Sequence, residues 1–210
     1  MKKQTARWTT PRSRLFGIIT GALVLCFFSA VTAAQEAGVY PGALGIVKAK
    51  NLSLDERKVE ARFAAHLEAH TDAAISRYTA KYGKDINADN ARELSSDYAP
   101  GGMDSIDSVT NAARTRWGEA VFQPARALAR EIYLRALKQE ASSDQRKQVV
   151  FTAGGAGVGK TTSVRQLPGL ARAVGAAEIV YDTTLSDLRS ASERIDQALD
   201  AGRMVSIVLV

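Results

Sequence analysis

The sequence has one cysteine, two histidines and no acidic residue before Glu36. A single cysteine cannot form an intramolecular disulfide, which excludes a disulfide-stapled scaffold. The absence of early acids also explains the charge, because five of the net +6 charges come from basic side chains within residues 1–34. The rest of the chain carries about +1 and gives no indication of nucleic-acid binding.

The first 34 residues combine a basic start with an apolar run. Leu15–Val31 contains seventeen residues without a charge and is followed by the small residues Thr-Ala-Ala. This order is typical of a signal peptide that is cleaved before residue 35. An uncleaved anchor is the alternative, because Leu15–Ala34 provides twenty uncharged residues, about the number that spans a bilayer. In both cases membrane contact is confined to residues 15–34.

Both interpretations predict export of the remaining chain, to the periplasm or the medium after cleavage, or on an inner-membrane anchor. An exported protein meets little ATP, so a nucleotide site there suggests an effector that works inside another cell. A misassigned start codon is the other explanation, and the protein would then be cytoplasmic.

Residues 35–147 are predicted to form a helical region. Ser53 and Glu56 match a capping box at the start of a run with apolar residues at helical spacing, which Gly83 ends. A second helix is predicted for Ala88–Tyr98.

A third helical stretch is predicted from about Asp104 onward, with apolar residues that continue past Pro124. Proline lacks the N–H that a helix interior needs, so we expect Pro124 in a first turn or at a break between two helices.

The two histidines, His66 and His70, lie four residues apart on the first predicted helix, so both imidazoles share one face. Such a pair is a candidate for metal binding. The acid follows at Glu68, however, which differs from the H-E-x-x-H zinc pattern. We therefore predict a solvated helix face and no metal at this position.

A phosphate-binding motif follows a short apolar strand predicted at Val149–Phe151. Gly154–Thr161 matches G-x-x-x-x-G-K-[ST] at every position. In such a loop, backbone N–H groups and the positive end of the next helix hold phosphate oxygens. The predicted nucleotide-binding residues are Gly154, Gly155, Ala156, Gly157, Val158, Gly159, Lys160, Thr161 and Thr162. The alternative is a glycine-rich turn that ends in Lys-Thr by chance.

The motif assigns roles to its polar residues. Lys160 is predicted to reach the β- and γ-phosphates, and Thr161 to bind the Mg²⁺ that bridges them. Thr162 is predicted to be an additional phosphate contact. The predicted cofactors are therefore ATP or GTP with Mg²⁺.

Residues 148–210 alternate between strand and helix patterns. Strands are predicted at Glu178–Tyr181 and Val205–Val210, and the helix between them ends at Gly202. The Val205–Val210 strand is apolar almost throughout, which predicts a position in the middle of a covered sheet. The predicted fold class is α/β, with a P-loop NTPase-type parallel sheet after the helical region.

Two segments of this region resemble the zeta toxin kinases: VVFTAGGAGVGKTTSVRQL, and EIVYDTTLSDLRSASERIDQALDAGRMVSIVLV. The upstream NADNARELSSDY is similar to segments that precede this core in some relatives. The resemblance covers roughly residues 85–210. It implies a P-loop phosphotransferase, and the best-known members phosphorylate the sugar of UDP-N-acetylglucosamine. It also implies a candidate antitoxin or immunity protein as partner.

By resemblance, Lys160 would stabilise the transferring phosphoryl group and an aspartate after the second strand would be the base. Asp182 ends that strand, whereas ungapped alignment places the family's base near Thr184. Either Asp182 or, with a shift, Asp187 is the candidate base. The alternative is that Asp182 and Thr184 only cap the following helix.

Zeta-type kinases carry arginines on a later lid, and the sequence has no counterpart before its last residue, Val210. We therefore expect the chain to be a fragment or truncated product. Without such arginines, transfer would be slower by orders of magnitude. The predicted function is a kinase that transfers the γ-phosphoryl group of ATP to a small-molecule hydroxyl. The alternative is a nucleotide-binding module or ATPase without transfer activity.

Overall fold

The computed structural model describes residues 38–140, 147–154, 166–183 and 188–209. It is a mixed α/β structure whose helices, in chain order, are α1 Leu54–Ala69, α2 Thr71–Tyr82, α3 Ala88–Ala91, α4 Ser108–Lys138, α5 Pro168–Ala176 and α6 Leu188–Asp200. The strands are β1 Asp85–Asn87, β2 Gln148–Ala153, β3 Ile179–Thr183 and β4 Met204–Leu209. None of the helices in these ranges has both the length and the apolar character that crossing a bilayer requires. The predicted signal or anchor segment lies outside them.

The four strands form one sheet in the order β1-β3-β2-β4, and every neighbouring pair is parallel. The predicted α/β class and parallel sheet are therefore confirmed. Parallel strands require crossover connections, and here α5 connects β2 to β3 while α6 connects β3 to β4.

Helices cover both faces of this sheet. On one face, Val149, Phe151 and Ile179 belong to the large apolar cluster that contains the buried side chains of α1 and α4 and also Ala198 of α6. On the other face, Val150 and Val180 pack with Leu170 and Val174 of α5. The two faces alternate along each strand because successive side chains point to opposite sides.

Residue contacts place Gln35–Val210 in one compact unit. The predicted boundary between residues 147 and 148 falls inside this unit. The region predicted as helical also contributes β1, which pairs with β3. Its helices bury their apolar faces against the sheet, so helices and sheet share one core.

The predicted start of α1 is confirmed. Ser53 accepts a hydrogen bond from the Glu56 N–H, and the Glu56 carboxylate accepts one from the Ser53 N–H, which forms the capping box. Gly83 follows α2 with a positive φ of 58°, as expected for the end of a helix. The run predicted as one helix is divided at His70, where α1 ends and α2 begins.

The expectation for Pro124 was wrong, since the proline lies inside the 31-residue helix α4. An interior proline removes one backbone hydrogen bond and costs about 3 kcal/mol. Pro124 is buried, and Val121 and Leu128 on either side of it are fully buried in the same apolar cluster. Burial of this continuous face accounts for the helix extending through the proline.

A strap, residues 38–50, is held on α1 by two glutamates. Glu60 is 1% exposed and accepts hydrogen bonds from the Tyr40 hydroxyl (3.0 Å) and the Ala49 N–H (2.7 Å). Glu68 accepts from the N–H groups of Ala43 and Leu44 at 2.8 and 3.0 Å. The buried Glu60 and the half-buried Glu68 therefore satisfy backbone groups that have no strand partner.

Strand β1 has a strand neighbour on one side only among the described residues, and a tyrosine hydroxyl occupies the other side. Tyr78 of α2 is fully buried, and its hydroxyl accepts from the Asn87 N–H at 2.8 Å. The same hydroxyl can donate to the carbonyl of Asp85 at 2.9 Å or of Asn87 at 3.2 Å. One side chain thus supplies the contacts that a further strand would make.

The last strand was expected in the middle of the sheet, but among the described residues β4 stands at the end of the strand order, beside β2. Val208 is buried, but Met204, Ile207 and Leu209 are 58%, 48% and 77% exposed. Apolar content alone therefore does not distinguish a central strand from an outer one.

Replacing Tyr78 by phenylalanine should lower the free energy of unfolding by about 1–3 kcal/mol, because the buried Asn87 N–H loses its acceptor. Urea denaturation of both proteins measures the difference. Tyr98→Phe is the matched control, since the Tyr98 hydroxyl makes no hydrogen bond within the described part of the chain, and it should change stability by less than about 0.5 kcal/mol. Equal effects of the two substitutions would contradict the role given to Tyr78.

The protein should lose stability as the pH rises above about 10, where tyrosine in an unfolded chain ionises. Burial, assisted by the hydrogen bond to Glu60, raises the pKa of Tyr40 to about 12. Burial also raises the pKa values of Tyr78 and Tyr133. The folded state keeps these protons while the unfolded state releases them, so unfolding is favoured from about pH 10 upward.

Denaturation midpoints measured from pH 8 to pH 11.5 test this expectation. The midpoint should stay level up to about pH 9.5 and then fall, and Tyr40→Phe should fall less steeply. A midpoint that stays constant to pH 11.5 would show that the buried tyrosines do not couple ionisation to folding.

Candidate functional site

The carboxyl ends of the parallel strands meet at one edge of the sheet, and the predicted phosphate loop begins there. Ala153, the last residue of β2, is in register with Thr183 of β3 and with Leu209 of β4. Gly154 follows with a φ of 153°, a conformation that side-chain-bearing residues rarely adopt. The chain therefore leaves β2 between the ends of two neighbouring strands.

The connections after β2 and β3 pass to opposite faces of the sheet. The chain after β2 enters α5, which packs on Val150 and Val180. The chain after β3 enters α6, whose Ala198 packs in the cluster on the other face. Adjacent strands whose connections diverge in this way form a crevice, and open α/β sheets bind ligands in such crevices.

Asp182 stands at this crevice and its carboxylate is held from both neighbouring strands. Its Oδ1 accepts a hydrogen bond from the Thr152 hydroxyl at 2.7 Å, and its Oδ2 accepts one from the Asn87 side-chain amide at 2.7 Å. The three residues share one register position across β2, β3 and β1. Both oxygens of the half-buried carboxylate thus have a fixed donor.

Neither Thr152 nor Asn87 was identified from the sequence as a site residue. Thr152 is 5% exposed and is flanked by the apolar residues Phe151 and Ala153 near the end of β2. Asn87 is the N-cap of α3, since its side chain accepts a hydrogen bond from the Asp89 N–H. For Thr152, the signal in the sequence is a polar residue near the end of a buried strand.

The negative charge of Asp182 acts on a neighbouring carboxyl group. Burial is the main cause of a raised pKa for Asp85, the first residue of β1. The ammonium group of Lys84 opposes that shift, and the charge of Asp182 adds to it.

Lys84 also connects β1 to α5. Its ammonium group donates to the carbonyls of Val174, Gly175 and Ala177 at 2.7, 2.7 and 3.0 Å. A cation at these terminal carbonyls stabilises the negative end of the helix. It therefore joins the amino end of β1 to the carboxyl end of α5.

Of the predicted site residues, Gly154 and Asp182 lie at the crevice. The others of the phosphate motif, Gly155, Ala156, Gly157, Val158, Gly159, Lys160, Thr161 and Thr162, lie outside the described residues, as do Thr184 and Asp187. The imidazole rings of His66 and His70 are exposed, with centroids 5.1 Å apart. Within the described ranges, no three His, Cys, Asp or Glu residues are arranged to hold a metal ion.

No protein-family model matches this chain, and no curated protein matches it in sequence. The resemblance to the zeta toxin kinases therefore depends on the sequence segments themselves and stays an interpretation.

Replacing Thr152 by valine should lower the free energy of unfolding by about 1–3 kcal/mol, because the half-buried Asp182 carboxylate loses a hydrogen-bond donor. Thr152→Ser keeps the hydroxyl and should be milder. In an Asp182→Ala background the valine substitution should have less effect, giving a coupling energy of about 1 kcal/mol in a double-mutant cycle. Strict additivity would show that the two side chains do not interact.

Proposed function

We propose that this chain is a P-loop phosphotransferase similar to the zeta toxin kinases, which uses Mg²⁺ with ATP, or with GTP, to phosphorylate a small-molecule hydroxyl. The observation that carries the proposal is the placement of Asp182. Its carboxylate lies at the crevice between β3 and β2, beside the strand that leads into the phosphate motif. A candidate proton acceptor and a predicted phosphate-binding loop therefore begin from adjacent strand ends.

The sheet supports a P-loop NTPase-type fold. In such folds the phosphate loop follows a buried parallel strand and leads into a helix whose amino end faces the phosphates. Here β2 is flanked by β3 and β4, and its Val149, Val150 and Phe151 are fully buried. The turn at Gly154 starts the motif at the carboxyl edge, where the crossover to α5 also begins.

The residues of the motif fit a magnesium nucleotide. Mg²⁺ prefers oxygen ligands and keeps several waters, which suits a single threonine hydroxyl beside substrate phosphates. Thr161 would hold the metal, and Lys160 would balance the charge on the β- and γ-phosphates. The nucleotide, when bound, supplies the phosphoryl group that is transferred.

Asp182 would accept the proton of the acceptor hydroxyl as that oxygen forms its bond to the γ-phosphorus. The bond between the γ-phosphorus and the bridging oxygen breaks, and the nucleoside diphosphate leaves with the electron pair. Thr152 and Asn87 hold the carboxylate while the proton is transferred. Thr152 and Asn87 orient the Asp182 carboxylate, which supports the base role proposed for it; Asp187 is the alternative base.

The acceptor proposed from the resemblance is the sugar of UDP-N-acetylglucosamine, and an antitoxin or immunity protein is the proposed macromolecular partner. Export, with residues 1–34 as signal peptide or anchor, is part of the same proposal.

The purified 210-residue chain should bind Mg·ATP in a calorimetric titration and transfer radiolabel from γ-labelled ATP to UDP-N-acetylglucosamine. Lys160→Ala should abolish transfer, because the ammonium group is predicted to neutralise charge in the transition state, an effect worth at least about 100-fold in rate. Asp182→Asn should retain nucleotide binding and lose transfer by about 100-fold or more.

Lys138→Ala is the matched control, since Lys138 is exposed in the last turn of α4 and should leave both measurements unchanged. Label that appears only as free phosphate would indicate an ATPase without transfer activity. Absence of Mg·ATP binding by the folded protein would overturn the proposal altogether.

A further inference from the structure

The Asn87 side chain makes two hydrogen bonds that fix the orientation of its amide. Its Oδ1 accepts from the Asp89 N–H at 2.6 Å, and its Nδ2 donates to the Asp182 Oδ2 at 2.7 Å. A backbone N–H requires an acceptor and a carboxylate oxygen requires a donor, so the opposite assignment of the amide atoms would lose both bonds.

The backbone of Asn87 is fixed as well. The residue pairs with Asp182 across the β1 and β3 strands, and its N–H donates to the buried Tyr78 hydroxyl. It also begins α3 as the N-cap. The backbone of Asn87 is fixed and its side-chain amide makes two hydrogen bonds. The side chain therefore has little rotamer freedom, and the fold determines the position of its Nδ2 atom.

The carboxylate of Asp182 is consequently held at both oxygens from opposite sides. Thr152 on β2 binds Oδ1, and Asn87 on β1 binds Oδ2. Two donors on different oxygens fix both the position and the plane of the carboxylate. A base that is misplaced by about 1 Å can lose about 100-fold in rate, so such support has a measurable effect.

We propose that Asn87 is a positioning residue for the phosphotransfer reaction, which holds the Asp182 carboxylate in the orientation that receives the acceptor proton. The proposal rests on the proposed function of this site. It extends the active site beyond residues 148–210, because Asn87 of β1 lies 67 positions before Gly154, the start of the phosphate motif, and belongs to the region predicted as helical.

Two substitutions of Asn87 separate its two hydrogen bonds. Asn87→Ala removes the cap of α3 together with the donor to Asp182. Asn87→Asp keeps an acceptor for the Asp89 N–H in the same shape and replaces the donor with an oxygen that repels the carboxylate. The aspartate variant therefore retains the structural role of the residue and loses the positioning role.

The test uses the 210-residue chain with γ-labelled ATP and UDP-N-acetylglucosamine. In both variants kcat should fall by about 10- to 100-fold, and Asn87→Asp should be at least as impaired as Asn87→Ala. The KM for ATP should stay within about 2-fold of the wild-type value, because the nucleotide is predicted to contact the phosphate motif and not β1.

Asn111→Ala is the matched control, since the exposed Asn111 amide donates to the Ile106 carbonyl at the start of α4, and its kcat should equal that of the wild type. A wild-type kcat in Asn87→Asp would overturn the positioning role while the proposed function stands. A variant that raises the KM for ATP with unchanged kcat would also overturn it. A wild-type protein that transfers no label would instead remove the proposed function, and this inference with it.

Discussion

The structure depends on the requirement that a parallel sheet be covered on both faces. Helix α5 covers one face, through Leu170 and Val174. The other face is covered largely by α4, whose buried side chains join α1 and the strands in one apolar cluster. The helices before the phosphate motif are therefore part of the fold that carries the motif, since without them Val149 and Phe151 would face water.

The same packing explains how a three-residue strand can form. Strand β1 lies at the outer side of β3, where a short strand gains few backbone hydrogen bonds. The Tyr78 hydroxyl adds hydrogen bonds at the open side of β1. The Lys84 ammonium group, just before β1, adds hydrogen bonds to the carboxyl end of α5. Because α2 and α5 are both in place, β1 brings Asn87 to the level of Asp182.

Local signals made several elements predictable from the sequence. The Ser53 capping box acts within four residues, and the apolar run of β2 needs no distant information to be recognised as a buried strand. The phosphate motif is likewise a contiguous pattern. The α/β class and the parallel sheet follow from the alternation of strand and helix patterns in residues 148–210 and were predicted correctly.

The remaining features depend on contacts between residues far apart in sequence. Strand β1 contains a single apolar residue, Ile86, so no periodic pattern reveals it. The proline inside α4 is tolerated because of a buried face that only the folded structure defines. Asn87 and Asp182 are separated by 95 positions, and their hydrogen bond depends on the strand order. The sequence offered two aspartates as candidates for the proposed base, but it did not reveal Thr152 and Asn87, which bind the Asp182 carboxylate.

Strand β3 offers a comparison between two carboxylates. Just before its first residue, Glu178 pairs with the guanidinium of Arg203 at 3.2 Å, and the Arg203 side chain is 5% exposed. A cation at that distance offsets much of the carboxylate charge. Near the other end, the Asn87 amide and the Thr152 hydroxyl donate to the two oxygens of Asp182 and orient its carboxylate. The Glu178–Arg203 pair therefore holds the amino end of β3, whereas the contacts of Asp182 orient a carboxylate at the carboxyl edge, the edge at which open α/β sheets bind ligands.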